Sequence, residues 1–376
     1  MKRQIIFIVF VILITSSCNS SKDHKHLLFW SSNNEQEITF TENLVDKWNH
    51  DHPEKYIHFQ PIPAGQSSEE IILASVVGKT TPDIYANMWQ GSVEMYAKAG
   101  VLVRLDTLNG FLDFINKRCS KKVIDEITSS DGHIYQVPWK VNPIITLYNK
   151  GIFKAVGIDS VPVTYSQYLE AGSKIQHRDK NGYVDRWVGY TTVKVIWYER
   201  LFNFYAMYIA ATNGAPLIKD NKAAFNNKYA VGVFRFLQEL YKKNYFSRQR
   251  MSASQDPFII QSVATLFTGP WQVPYLNKFK PDSLKYGFYS MLVPDDHEGP
   301  VYTYGDPKNI VIFNTCKDPQ TAWDFISTMI NKPGDLDLLE ITDQFPRRKN
   351  LSTDPFFSDF FATNPKLQIF AKQVDY

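Results

Sequence analysis

The sequence predicts an α/β protein of about two domains. Three observations predict it: strand and helix patterns alternate along the early part of the chain, the 376 residues stand against a prior of roughly 150 per domain, and the composition is globular. Apolar residues make up 44% and charged residues 21%, which excludes disordered, collagen-like and multi-span membrane chains. Lysine and arginine number 41 against 38 acids, a formal net charge of +3 with no local basic cluster, so no nucleic-acid partner is expected. Aromatic residues reach 15%, with 21 Tyr, 26 Phe and 8 Trp, more than a core of this size requires. Some of these rings are expected to face a ligand.

The first element is a leader. Met1-Lys2-Arg3 is a basic head, Ile5 to Ile14 is an unbroken apolar run, and Thr15-Ser16-Ser17-Cys18 follows, so residues 1–17 read as a signal peptide. The run is far short of the ~20 residues that span a bilayer as a helix. Small residues before a cysteine resemble a bacterial lipobox, which implies lipidation of Cys18 and a polar tether over residues 18–25. Thr15 departs from that pattern, where leucine is usual, and a plain secreted protein is the alternative. Beyond Cys18 only Cys119 and Cys316 remain, which excludes a disulfide-rich scaffold and leaves open whether they pair.

Leu27 to Trp30 reads as a strand, Ser31 to Asn34 as a polar loop, and Ile38, Phe40, Leu44, Val45 and Trp48 as one face of a helix that stops near Pro53. Tyr56 to Gln60 alternates as a second strand. Ser67 with Glu70 suggests a capping box for the next helix, Gly78 its left-handed end, and Ile84 with its neighbours a third strand. Another helix runs to about Ala99 before Gly100, and Val101 to Leu105 is extended. Between Asp131 and Tyr148 two extended runs surround Pro138, as expected of a crossover between lobes. Helix dominates afterwards: Thr164 with Gln167 forms a second capping box, and Tyr198 to Ala211 and Asn227 to Lys243 carry helical spacing. Ala264 to Phe267 reads as a strand, and Asp318-Pro319 opens a helix with Ala322, Phe325, Ile326 and Met329 on one face.

No nucleophile elbow, zinc-protease, dithiol or phosphate-loop motif is present. The histidines are scattered, so neither a metal nor a cofactor is expected. A pair of glycosidase carboxylates leaves no local signature, and a lipid-anchored glycan hydrolase stays open as the alternative. Trp30, Trp89, Trp139 and Trp271 each fall at or near a strand end beside turn or amide residues. Sugar rings have apolar faces and hydroxyl edges, so flat indoles with Asn87, Gln90, Asn142 and Asp306 at the rim suit a carbohydrate. Core or lobe-interface packing is the competing account of each tryptophan.

Several segments then match in order. Leu28-Phe29-Trp30-Ser31-Ser32, Thr81-Pro82-Asp83-Ile84-Tyr85, Gly100 to Asp106, Asp131 to Trp139 running into Leu147-Tyr148-Asn149-Lys150, Thr268-Gly269-Pro270-Trp271 and Phe345-Pro346-Arg347-Arg348 span almost the whole mature chain. Together they resemble the extracellular solute-binding proteins of ABC importers, in the sugar-binding group that includes maltose-binding protein. The resemblance implies a two-lobed, type II periplasmic-binding-protein-like α/β fold with hinge crossovers. Residues 26–142 and 294–331 would form lobe one, and 143–293 and 332–376 lobe two. It implies a monomeric, non-catalytic protein, lipid-anchored in the periplasm or on the outer face of the cell membrane, that delivers a mono- or oligosaccharide to a membrane permease.

Ligand contacts carried over from the family are Trp30, Asn33, Asn34 and Glu35, then Asn87, Trp89 and Gln90, then Trp139 and Asn142, then Trp271, Gly305, Asp306 and Arg347. Trp197 is added from composition alone. Gln90 replaces an acid that often accepts sugar hydroxyls, and an amide both donates and accepts there. The chain ends at Tyr376, soon after Arg347, where relatives usually carry more helices, which implies a pared-down second lobe. A non-sugar solute, such as a polyol phosphate held by Lys140, Arg347 and Arg348, remains the alternative cargo. A surface scaffold for a protein partner is a third reading.

Overall fold

The structure, a computed structural model, describes residues 26–63, 67–192, 199–219, 222–249, 251 and 255–374. The expected signal peptide, Cys18, the tether and Trp197 lie outside the described residues.

Strands β1 (Leu27–Ser31), β2 (Ile57–Pro61) and β3 (Ile84–Trp89) form a parallel core joined by the helices Glu35–Asp51 and Ser68–Val77, because a parallel pair needs a crossover connection. β4 (Val137–Val141) belongs to the same sheet, whereas β5 (Ile145–Asn149), three residues on, belongs to a second one. Two short hairpins follow, β6 with β7 (His177–Arg178, Val184–Arg186) and β8 with β9 (Ile218–Lys219, Lys222–Ala223). The second sheet is completed by β10 (Thr265–Thr268) and β11 (Tyr286–Tyr289), both antiparallel to β5. β12 (Lys308–Ile312) and β13 (Phe345–Pro346) return to the first sheet, whose order is β13-β4-β12-β3-β1-β2. The chain therefore crosses between sheets at residues 142–144 and again near 304–305. The crossings lie side by side: Asn142 N donates to Gly305 O at 2.5 Å and Ile144 N to Tyr304 O at 2.9 Å. Two sheets, two crossings and flanking helices make the two-lobed α/β fold, with the crossings as its hinge.

Each sheet has its own core. Phe29, Phe40, Trp139, Ile310 and Phe325 are packed between the first sheet and its helices, and Phe29 meets Phe325 edge-on at 5.5 Å. Tyr168, Met207, Val233 and Phe236 centre the core of the second lobe. Leu339, Phe345, Phe357 and Phe370 bring the C-terminal helices onto Ile145 and Val273 of that lobe.

Local signals were mostly honoured. Thr164 and Gln167 make both bonds of the capping box, and Asn34, Asn227 and Asp318 each accept backbone N–H bonds at a helix start. The Ser67 expectation is corrected: its hydroxyl donates to Glu69 at 3.0 Å and caps no backbone N–H. Gly78 is right-handed, and the positive φ falls on Lys79 instead, at 54°. The helix expected to end at Ala211 opens with a π turn at Leu201–Tyr205 before Ala206–Ala211. Cys119 and Cys316 are buried and unpaired.

The helix Lys332–Thr342 lies against Glu35–Asp51 and ends at Asp343, which has a φ of 54°. Burial pushes the Asp343 carboxyl up to about 6. A raised folded pKa favours the protonated fold, so this contribution is present below the unfolded value and is lost as pH rises through about 6. Asn tolerates the left-handed region and carries no charge. Asp343→Asn should therefore stabilise the protein at pH 7–8 by about 1 kcal/mol after solvent screening. Denaturant melts at pH 7.5 and pH 4 check it, and a gain that persists undiminished at pH 4 would contradict it.

Candidate functional site

A cavity of about 340 Å3 opens at the carboxyl ends of β1 and β3, beside the hinge, and reaches Trp271 of the second lobe. Ser32, Asn33 and Asn34 come from the loop after β1, Tyr85 and Asn87 from β3, Lys140 from β4 and Asn142 from the first crossing, Asp306 from just after the second crossing and Lys308 from β12, and Gln344 from the stretch before β13.

Local irregularities aim these side chains. In the β3–β12 ladder Asn309 faces Met88 and Ile310 faces Ala86, so Asn87 is the extra residue of a bulge, with a φ of 78°. Asp306 is likewise left-handed, at 41°. Asn and Asp are the side-chain-bearing residues that adopt this region most readily. Gly269 has a similar purpose, since a Cβ there would overlap the Trp271 ring, which folds back over the Gly269-Pro270 turn.

The floor is a buried polar network. Glu37, in the first turn of the helix after β1, accepts from the Lys140 ammonium, from Asn87 Nδ2 at 2.8 Å and from Gln344 Nε2 at 2.7 Å. Burial alone would raise the Glu37 pKa. The adjacent Lys140 charge and these hydrogen bonds reverse that and hold the carboxyl below the usual range. Burial lowers the Lys140 pKa, with Glu37 opposing. Gln344 also accepts from Asn142 Nδ2 at 3.1 Å, while Asn142 Oδ1 is buried and has no hydrogen-bond donor among the described residues. Lys308 Nζ donates to Asp306 Oδ1 at 3.0 Å. Both cavity lysines are therefore neutralised within the protein.

The residues expected from sequence divide clearly. Asn33, Asn34, Asn87, Asn142, Asp306 and Trp271 line this cavity. Glu35 lies at the rim of a neighbouring cavity, paired with Lys278 of the second lobe at 3.7 Å. Gly305 supplies the hinge carbonyl that receives Asn142 N. Trp89 donates its indole N–H to Tyr304 OH at 3.2 Å, a contact between lobes beside the hinge. Gln90 accepts from Arg347 at 3.1 Å, and Arg347 also binds Glu126. Arg348 is held by Asp335 at 2.6 Å.

Two of the expected tryptophans, Trp139 and Trp30, do not line this cavity. Trp139 is 0% exposed in the first core, stacked on Phe40, because β4 is covered along its whole length. Trp30 projects into a smaller core cluster with Tyr85, Ile62 and Val311 on the other side of the sheet from Phe29. The sequence reading missed Glu37, Tyr85, Lys308 and Gln344 as site residues. Only the polar Glu37 in a first helical turn, directly after the candidate loop, offered a signal.

The hinged halves and the amide-rich cleft between them define a solute-binding protein of the two-lobed α/β kind. The family described as bacterial extracellular solute-binding protein matches residues 43–369, and the chain belongs to it. No curated protein gives a significant match. Among solved structures, the fold is similar to an uncharacterised protein of Listeria monocytogenes, at 27% identity and a TM-score of 0.77, covering 93% of this chain and 88% of that one. It is also similar to the sugar-binding protein MalE of Xanthomonas citri, at 18% identity, a TM-score of 0.74 and coverage of 93% and 85%. A third is UgpB of Mycobacterium tuberculosis in complex with glycerophosphocholine, at 18% identity, a TM-score of 0.73 and coverage of 93% and 85%. The family is one of binding proteins. Among the described residues no helix is long and apolar enough to cross a membrane.

Proposed function

We propose that the protein captures a neutral carbohydrate, a mono- or oligosaccharide, between its lobes and delivers it unaltered to a membrane permease of an ABC importer. The observation that carries this reading is the cleft lining: the Trp271 indole shares it with amide and hydroxyl groups, with two lysines against three carboxylates, Glu37, Glu69 and Asp306. Such a slightly acidic lining suits hydroxyls and repels phosphate. The cations of the anion reading are all spoken for, Lys140 by Glu37, Arg347 by Glu126 and Arg348 by Asp335. Likeness to a sugar-binding MalE supports the same cargo.

Capture requires contacts on both lobes, because a ligand shifts closure only by its differential affinity for the two states. With the second crossing near 304–305 as the boundary, lobe one takes residues 26–142 and 305–331 with the added strand Phe345–Pro346, and lobe two takes most of the remainder. The mature protein is an exported monomer, tethered through Cys18 in the periplasm or on the outer face of the membrane.

A thermal-shift screen tests the cargo. A neutral sugar present at 100 times its Kd should stabilise the closed protein by about 2.7 kcal/mol and be recovered intact by chromatography. Stabilisation by phosphodiesters or peptides alone, or recovery of a cleaved sugar, would overturn the reading.

A further inference from the structure

The cleft does not end at Trp271. A second cavity of about 510 Å3 shares Asn34, Trp271 and Gln344 with the first and runs on between the start of the helix Glu35–Asp51 and the helix Gln272–Phe279. On the latter helix Tyr275 and Phe279 stand one turn apart, with ring centroids 4.9 Å from each other, and both line this cavity. They are 39% and 54% exposed. Single exposed aromatics are ordinary, but a pair forming one wall of a cavity continuous with a ligand cleft is a stacking platform. The opposite wall is polar, with Glu35, Gln36 and Thr342. Aromatic faces on one side and hydrogen-bonding groups on the other suit a sugar ring.

We infer that the cargo is an oligosaccharide of at least two units, one ring in the hinge-side cavity and the next beyond Trp271 on Tyr275 and Phe279. This rests on the carbohydrate reading and specifies its length. A lone ring would occupy one cavity and leave the other wall unused. Across the outer cavity, Lys278 reaches Glu35 of the other lobe at 3.7 Å, with both side chains well exposed. Such a pair contributes little, so a longer ligand parts it at small cost. Gln344, bonded to both Glu37 and Asn142, holds the junction between the two subsites.

Calorimetry on the full mature chain decides the matter, using α- and β-linked gluco- and manno-oligosaccharides of one to four units. Affinity should rise at least tenfold from one unit to two. The double variant Tyr275→Ala/Phe279→Ala should lose about tenfold for two or more units and stay within twofold for one. Phe279→Ala alone, at the more exposed ring, should show the same length-dependent loss in smaller measure. Binding that is independent of length, or a variant that weakens every length equally, would overturn the inference and leave the carbohydrate reading intact. No binding at any length would overturn both.

Discussion

Glu37→Ala should destabilise the first lobe by about 3–5 kcal/mol and abolish ligand binding, because it strands the buried Lys140 charge without its partner. Asn87 and Gln344 would lose their acceptor in the same step. An unpartnered buried donor costs about 1–3 kcal/mol, and these side chains also present the cleft its amides. The double variant Glu37→Gln/Lys140→Met removes both charges and leaves an amide oxygen for Asn87. It should recover most of the stability, since replacing a whole buried ion pair is often neutral, yet bind ligand weakly. Denaturant unfolding of the three proteins, with calorimetry, separates the roles. A double variant as unstable as the single one would refute the argument. The pH dependence follows from the same pair. With its folded pKa held below the ordinary range, Glu37 contributes stability above its unfolded value, and that is lost as pH falls through the folded one. The double variant should show a shallower acid transition.

This network also marks where the sequence stopped being informative. Its members are brought together from positions 37, 87, 140 and 344, and the Gln344–Glu37 bond joins residues 307 apart. No local pattern encodes such a meeting. The aim of Asn87 depends on a bulge created by its pairing with β12, more than two hundred residues later. By contrast, β1, its loop and the helix after it were legible, because an apolar run, a polar turn and helical apolar spacing are local chemistry. The two extended runs of the crossover were legible too, because they need no distant partner to be recognised, but Pro138 lies inside β4 and the crossing itself falls at residues 142–144. The place of Trp139 near a strand end beside polar residues points to a ligand, but β4 is buried along its whole length, and the neighbouring Lys140 ammonium is itself buried against Glu37, 4.3 Å over the indole ring. A strand covered on both faces normally reads as an unbroken apolar run, and this one does not.

Trp271→Ala should weaken carbohydrate binding by about 2 kcal/mol, roughly thirtyfold, through lost stacking and burial. The same substitution at Trp139 should behave differently, costing about 3–5 kcal/mol of stability as a core cavity forms. The contrast arises from position alone: Trp271 stands half-buried between two cavities and rests on Phe202 at 5.8 Å, while Trp139 is sealed against Phe40. Trp271→Phe should recover part of the affinity, because a smaller ring still offers an apolar face. Since Trp271 belongs to the second lobe and most other lining groups to the first, its loss removes much of what makes the closed state preferable. The variant should therefore also show a smaller ligand-induced compaction in small-angle scattering at saturating sugar. Unchanged affinity with unchanged compaction would mean that the indole is wall and not contact, and the cargo would have to be held by the hinge-side amides alone.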